Sequence, residues 1–506
     1  MARGGELTVG SVARHFTCLE PGKRALYDAS RALTYRELDD AADRLASALL
    51  HDGVRRGDVV CAYLPNCIDY VLVVLGVARA GAIFSPINPR FKRYEIAKIL
   101  ALARPRMVFT TNAQAGVLRS AAQGTETLRI VAVDAGEGSD SMQAMLARDV
   151  AELPAIDEDD FFSLMFTSGT TGEPKGALAT HRARMLWVVN ATIQYGLDDD
   201  DVYLGTMPQV HSAGLTFTLM HLYAGATVRI LPQFDPAEFL AIVERERITS
   251  ALTVPTMLTM IVEALDRSPA RPALASLKRL VTCGSPLPLA TKRRVIETMT
   301  SELYDYYGST ESNSMTVLRP CDQLRKPASV GQAFRNVELM IARGDGARCA
   351  PGVVGEVWCA NPSIFTAYRD RPEDTKRAFA GRWYRTGDLG HLDAEGFLQL
   401  VGRKNDVVIS GGVNIYPAEI EQVLMLHPAV LDAAVVGVPD AKWGQSVKAY
   451  LVLRDHARLD LAEVQRHCVE HLADYKKPRS VEFRAALPKN AGGKTIKSAL
   501  AEDAYA

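Results

Sequence analysis

The chain has almost no net charge, no apolar run of membrane length and no paired cysteine motif. Its 58 Lys+Arg nearly cancel 59 Asp+Glu, leaving a formal net charge of −1. That balance offers no signal for nucleic acid or an anionic membrane surface. The apolar run Val71–Ala78 is cut by Arg79, far short of a bilayer span. Eight cysteines are scattered, Cys61 and Cys67 among the closest, and none forms a CxxC pair. Buried, reduced thiols are the expectation. No basic-then-apolar leader opens the chain, because Gly4, Gly5 and Glu6 interrupt it. No internal repeat or low-complexity tract is visible. Together these absences predict a soluble, cytoplasmic protein.

What is present is ordinary globular material, 48% hydrophobic and 23% charged over 506 residues. That length calls for two or more domains. Leucine, alanine and acidic residues at helical spacing over Leu38–Leu50 predict a helix that stops at Gly53. Val59–Leu64 reads as a buried strand, Ile68–Arg79 as a helix ended by Gly81, and Ala82–Pro86 as another strand. Further strands are predicted at Met107–Thr110, Val202–Met207, Thr227–Leu231, Ser250–Val254 and Leu280–Cys283. This alternation argues for an α/β fold with a parallel sheet covered by helices, α+β in parts. Around Phe397–Val401 the pattern turns to hairpin-rich β structure. A boundary is expected at Arg403–Asp406, giving domains 1–404 and 405–506. The second carries strands at Val430–Val438 and Lys448–Leu453 and a helix at Leu461–Leu472.

The most informative stretch is Phe166-Thr-Ser-Gly-Thr-Thr-Gly-Glu-Pro-Lys-Gly176. It lies between the apolar run Phe161–Phe166 and a segment expected to be helix-like. Glycines let a backbone turn its N–H groups inward, hydroxyls add donors, and a lysine supplies charge, a composition suited to phosphate. It is not a Walker loop, which needs Gly-Lys followed by Ser or Thr. Here Lys175 follows Pro174 and precedes Gly176.

The string Thr167–Gly176 resembles the phosphate-loop signature of the adenylate-forming family, which includes acyl-CoA synthetases, firefly-type luciferases and peptide-synthetase adenylation domains. Other motifs follow in the family's order. Leu33–Leu38 resembles its LTYxEL opening, Tyr307–Glu311 its YGxTE and Tyr384–Asp388 its YRTGD. Gly402–Asp406, running on to Gly411–Glu421, resembles the hinge motif, and Pro488–Lys494 the C-terminal PKxxxGK. The resemblance spans nearly the whole chain. It implies a large N-terminal portion and a small C-terminal α/β domain that rotates about the hinge. It also implies two half-reactions. A carboxylate attacks the α-phosphorus of ATP to give acyl-adenylate and pyrophosphate; a thiol, usually of coenzyme A, then displaces AMP.

Residue by residue, the resemblance implies that Thr167, Ser168, Gly169, Thr170, Thr171, Gly172 and Lys175 hold the β- and γ-phosphates. Thr310 matches the α-phosphate contact and Glu311 the Mg²⁺ carboxylate, a ligand Mg²⁺ commonly takes together with phosphate oxygens. Asp388 matches the ribose-binding residue, assisted by Arg403. Asp305 matches the position that meets the adenine amino group, Tyr307 stacks beside the base within the Tyr306–Gly308 segment, and Gly284-Ser285-Pro286 lines its other face. Lys494 matches the catalytic lysine; a compact, mobile cation suits the meeting of two anions. Gly411 and Gly412 match the glycines beside the pantetheine arm. Trp443 matches a CoA-side position, although a core tryptophan is an open alternative. Asn405 stands where the hinge usually has Asp or Lys; Asn tolerates unusual backbone angles.

His211, in Pro208–Leu215, matches the PxxHxxGL histidine that borders the acyl site, with a purely structural histidine as the other reading. The implied acyl pocket draws on Ala213, Gly214, Phe217, Cys283 and Tyr306, with Leu215, Met257 and Met315 nearby. Such apolar and small residues suit a fatty or aromatic acid. Tyr306 shortens the tunnel and favours an aromatic or medium-length acid. No arginine or lysine appears in these stretches, which disfavours a dicarboxylate. Asp235 invites comparison with the amino-group aspartate of peptide-synthetase domains, but the PxxHxxGL context argues against an amino acid. Three functions stay open: an ATP- and CoA-dependent acid–thiol ligase, an acyl-AMP ligase loading a carrier protein, and a non-catalytic nucleotide-binding module. A homodimer stays open too.

Overall fold

The computed structural model describes residues 7–123, 128–134, 140–168, 174–268, 272–410, 413–440, 442–489 and 495–505. The chain divides into two compact units. One runs through Pro327 and takes in Ala333–Glu338 and Ala360–Arg382; the other comprises Ala328–Gln332, Leu339–Cys359 and the chain from Trp383 on.

The first unit holds two sheets. In one, strands Arg24–Tyr27, Thr227–Ile230, Val202–Gly205, Ser250–Thr253, Arg279–Cys283 and Leu303–Ser309 lie side by side in that order, all parallel. Ala32–Thr34 pairs antiparallel at one end and Asn313–Leu318 at the other. In the second sheet, Arg129–Ala132, Met107–Thr110, Val59–Tyr63, Ile83–Pro86 and Phe161–Ser168 run parallel. Pro174–Thr180 and Ala367–Tyr368 extend it antiparallel.

The helices between these strands follow from composition. Ile68–Arg79 is buried at every residue except Asp69, and Ser212–Tyr223 at all but Ala213 and Tyr223. A helix that is apolar all round can only sit inside. Tyr35–His51 begins with a capping box: Thr34 Oγ1 accepts from Glu37 N at 3.2 Å while Glu37 Oε2 accepts from Thr34 N at 2.8 Å. One continuous core joins residues of both sheets, Leu26 and Val228 with Val60 and Phe84. The strands expected from sequence form within a residue or two of their predicted limits, except that the one expected at Lys448–Leu453 begins four residues earlier, at Gly444.

One expectation fails. The segment after the glycine–hydroxyl loop is strand Pro174–Thr180, and the helix starts only at His181. Small residues explain this: a Cβ on Gly176 would lie 2.7 Å from Leu164 Cδ1, so glycine lets the two strands close. Thr180 then caps the helix, its Oγ1 accepting from Ala183 N at 3.1 Å. The cysteines also depart in part from expectation: all are free, but Cys18 and Cys321 are exposed and Cys67 is half-buried.

In the second unit, hairpin Trp383–Leu392/Leu398–Arg403 pairs with Gly355–Ala360, all antiparallel. A further sheet orders Val413–Ile415, Val408–Ser410, Gly444–Leu453 and Val430–Asp440, with Ser480–Phe483 parallel to Gly444–Leu453. Helices Pro417–Leu424 and Leu461–His471 cover it through Ile420, Leu424, Val464 and Cys468. No helix among the described residues is long and apolar enough to cross a membrane.

Candidate active site

The phosphate-type loop is held at both ends by a hairpin. Phe166 pairs with Gly176, Thr167 with Lys175 and Ser168 with Pro174. Gly169, Thr170, Thr171 and Gly172 lie outside the described residues, as do Gly411, Gly412 and Lys494. The loop's first end meets the carboxylate motif directly, and its second end meets it through Tyr368. Thr167 Oγ1 donates to Glu311 Oε1 at 3.4 Å, and Tyr368 OH donates to the same oxygen at 2.9 Å. Lys175 Nζ sits 5.3 Å from the centre of the Tyr368 ring and 3.4 Å from Asp374 Oδ1. Two distant segments therefore converge on one carboxylate, which is only 9% exposed.

The turn that presents Glu311 is stiff. Ser309 N donates to Ser312 Oγ and Ser312 N to Ser309 Oγ, both at 3.1 Å. Asn313 takes a left-handed φ of 58°, and its amide donates to the Ser363 carbonyl. A side chain on Gly308 would overlap the Asn313 carbonyl, so this position needs glycine. Thr310 is half-buried within the turn. Glu311 is a hard oxygen donor held in place by neutral hydroxyls, a donor type that suits Mg²⁺ carried on phosphate oxygens.

Beside the turn, strand Leu303–Ser309 aligns Asp305 with Thr282 and Tyr306 with Cys283. Asp305 is buried, and burial pushes its carboxyl up to about 7, against the opposing pull of Lys292. Tyr307 is half-buried in the same strand. Gly284, Ser285 and Pro286 are exposed where parallel strand Arg279–Cys283 ends, and Gly284 takes a φ of 93°. Ligands of open α/β sheets bind at such carboxyl ends.

Of the residues expected to line an acyl pocket, Phe217, Tyr306 and Cys283 come together. Phe217 stacks on Tyr306 with centroids 6.1 Å apart and an interplanar angle of 15°. Tyr306 is the register partner of Cys283, whose thiol burial pushes up to about 12. His211 is half-buried at the start of helix Ser212–Tyr223; burial, with Arg90 adding, lowers its pKa. Ala213 follows on the first turn. A side chain on Gly214 would overlap the Pro208 carbonyl. Asp235 is the N-cap of helix Pro236–Glu246, its Oδ1 accepting from Glu238 N at 2.8 Å, which gives it a structural task.

In the second unit, the YRTGD-like and hinge-like motifs become facing strands. Asp388 is the register partner of Arg403, and their side chains pair at 2.9 Å. Thr386 Oγ1 accepts from Asp388 N at 3.0 Å and donates to the Val357 carbonyl at 2.7 Å. Asn405 is exposed in the short turn Lys404–Asp406. Trp443 is not a core residue: it is half-buried, with Lys442 at 4.8 Å and Arg479 at 5.2 Å from its ring.

Two residues of this neighbourhood escaped the sequence reading. Tyr368 carries no local signal; only the pairing of Ala367–Tyr368 with Leu178 and Ala177 brings it to Glu311. Arg184 does carry one: it shares a face of helix His181–Tyr195 with the buried Trp187, Val188 and Ala191.

Such convergence of hydroxyls, a lysine and a carboxylate at the ends of parallel strands defines a nucleotide-using enzyme. Similarity to known proteins narrows the class. The AMP-binding enzyme family matches residues 16–369, and the AMP-binding enzyme C-terminal domain matches 419–494. An indoleacetate–CoA ligase from Aromatoleum aromaticum is 36% identical over 490 residues, 95% of this chain and 94% of that one. ATP-bound MatB from Rhodopseudomonas palustris superposes with a TM-score of 0.89 at 30% identity, covering 98% of this chain and 99% of that one. O-succinylbenzoate CoA synthetase (MenE) from Bacillus subtilis, in complex with its acyl-adenylate intermediate, gives 0.87 at 30% identity, covering 97% of both. The chain belongs to the AMP-binding enzyme family.

Proposed function

We infer that the chain is an ATP-dependent acid–CoA ligase whose acid has an apolar body, aromatic or of medium length. A carboxylate is a poor acyl donor because its leaving group is oxide. Adenylation corrects this: a carboxylate oxygen bonds to the α-phosphorus, the bond to the bridging oxygen breaks, and pyrophosphate leaves. The thiolate of coenzyme A then attacks the acyl carbon and AMP departs. The observation that carries the reading is the meeting of Thr167, Lys175 and Glu311 around Tyr368, which joins the loop's ends to the carboxylate turn.

In this assignment the loop Thr167–Lys175 grips the departing pyrophosphate and Thr310 contacts the α-phosphate. Glu311 would hold Mg²⁺, which when bound neutralises charge on the phosphate oxygens. Asp305 accepts from the adenine amino group, with Tyr307 and Gly284–Pro286 about the base. Asp388 takes the ribose hydroxyls while Arg403 fixes its orientation. Lys494 neutralises the two anions as they meet. The boundary between the adenylating and mobile domains falls between residues 404 and 405, with Asn405 as the pivot, and Gly411, Gly412 and Trp443 serve the thiol substrate. The stacked Phe217 and Tyr306 close one wall of the acyl pocket, and His211 borders it.

The test is release of AMP and pyrophosphate from Mg²⁺-ATP across fatty, benzoic and cinnamic-type acids, with and without CoA. Acid-dependent AMP release that rises with CoA is the expected outcome. Pyrophosphate exchange without CoA turnover would replace CoA by a carrier-protein thiol.

A further inference from the structure

Helix Leu461–His471, in the second unit, ends on three side chains that the nucleotide chemistry does not use. It starts on a capping box between Asp460 and Glu463, and its buried residues are Val464 and Cys468. Its last residues include His467, Glu470 and His471, spaced i, i+3 and i+4, which sets all three on one side of the helix. Among the described residues this is the one group of three His, Cys, Asp or Glu whose ligating atoms come close together, within 4.8 Å of one another. The two imidazole rings stand 4.7 Å apart. His467 is half-buried, while Glu470 and His471 are exposed, so an ion from solvent reaches them.

Hydrogen bonds fix which nitrogen of each ring is available. His467 Nε2 lies 2.9 Å from the Val423 carbonyl, and His471 Nδ1 lies 2.9 Å from the His467 carbonyl. A carbonyl only accepts, so both of these nitrogens carry the proton. The lone pairs therefore stand on His467 Nδ1 and His471 Nε2. Metal-bound histidines are held in the same way, one ring nitrogen donating to a backbone carbonyl and the other facing the ion. A third ring gives the contrast. His427 packs edge-on against His467 with centroids 4.9 Å apart, but its Nδ1 accepts from Ala429 N at 3.2 Å. Its proton therefore sits on Nε2 and no lone pair is left, so it walls the group without ligating.

We propose that His467, Glu470 and His471 bind a borderline divalent transition-metal ion, of the Zn²⁺, Ni²⁺ or Cu²⁺ kind, with water completing its shell. Two imidazoles and a carboxylate suit those ions and not Mg²⁺, which takes oxygen. The site thus differs in chemistry from the carboxylate at Glu311, and it stands in the other unit. Donors about 2.1 Å from a tetrahedral ion are about 3.4 Å apart, so small rotations of the exposed Glu470 and His471 close the site. The ion clamps the last turn of a helix whose C-cap, Leu472, has already turned extended. His467 carries that clamp to Val423 of helix Pro417–Leu424.

The test is calorimetric titration of Zn²⁺ into the tag-free full chain, first stripped of metal with EDTA. The wild type should take up one ion, keep it in excess Mg²⁺, and unfold at a higher temperature with Zn²⁺ present. The chain has ten histidines, so variants identify the site. His471→Ala should weaken binding by more than about tenfold, the least that losing even an outer-shell partner costs. Glu470→Gln should weaken it less steeply, and His427→Ala should leave it unchanged. His467→Ala also removes the bond to Val423; the exposed His471 and Glu470 carry the test if that variant unfolds. No Zn²⁺ uptake by the wild type, or equal affinity in His471→Ala, overturns the assignment. A loss in His427→Ala as large as in His471→Ala overturns the ligand set.

Discussion

Replacing Asp305 by asparagine should flatten two pH dependences at once. Asp305 is 8% exposed, and burial lifts its carboxyl from 3.8 to about 7. At acid pH folded and unfolded chains both bind this proton. As pH rises through about 4 to about 7 the unfolded chain releases it first, so the folded state loses stability across that window. Three pH units at 1.36 kcal/mol each set the loss at roughly 4 kcal/mol, complete above neutrality. Lys292, whose own charge is penalised by burial, recovers part of it. Asparagine has the same shape and no proton to lose, so Asp305→Asn should gain stability near pH 8 and little near pH 4.

The same carboxyl governs nucleotide affinity if its ionised form accepts from the adenine amino group. With a pKa of about 7 the ionised fraction climbs from about a tenth at pH 6 to about nine-tenths at pH 8, so adenosine should bind about tenfold more tightly at the higher pH. Adenosine is the right probe because it carries no group that titrates near neutrality. Denaturant unfolding and adenosine calorimetry across pH, on both proteins, give the two profiles. Equal pH slopes in wild type and Asp305→Asn would refute both the burial argument and the adenine assignment.

Lys494→Ala should abolish adenylation yet leave thioester formation from preformed acyl-adenylate largely intact; single-turnover assays of each half-reaction separate the two. Asn405→Pro should act the other way, slowing thioesterification more than adenylation, because proline fixes the backbone angle that a hinge must change. Tyr306→Leu removes the ring that stacks on Phe217 beside Cys283. It should cost about 1–3 kcal/mol of stability by denaturant titration and move the kcat/KM optimum toward longer acids.

What could be read in advance was chemistry that runs along the chain. Thr167–Lys175, Tyr307–Glu311 and Tyr384–Asp388 are continuous strings, and the buried strands between them are apolar enough to announce themselves. The strand Pro174–Thr180 was misread because its residues are mostly small. It is a strand through its neighbours, Phe161–Ser168 on one side and Ala367–Tyr368 on the other. Tyr368 was invisible for a related reason: its partner Glu311 lies 57 residues away, and packing alone chooses it. Arg184 announces its burial through its helix face, but its partner Ser212, 28 residues away, is chosen by packing too.

The hydrogen bonding of Glu311 Oε1 bears on which ion the proposed site would accept. Tyr368 donates to Oε1 at 2.9 Å, while Thr167 divides its proton between that oxygen at 3.4 Å and the Lys175 carbonyl at 3.5 Å. Were Glu311 to hold Mg²⁺ as proposed, Oε2 would be its less engaged oxygen and a monodentate bond the easier one. Mg²⁺, small and content to keep water and phosphate oxygens in its shell, loses little by that arrangement; Ca²⁺, which favours bidentate carboxylates and a crowded shell, loses more. Discrimination between the two ions would then reside in a tyrosine hydroxyl that never touches the metal.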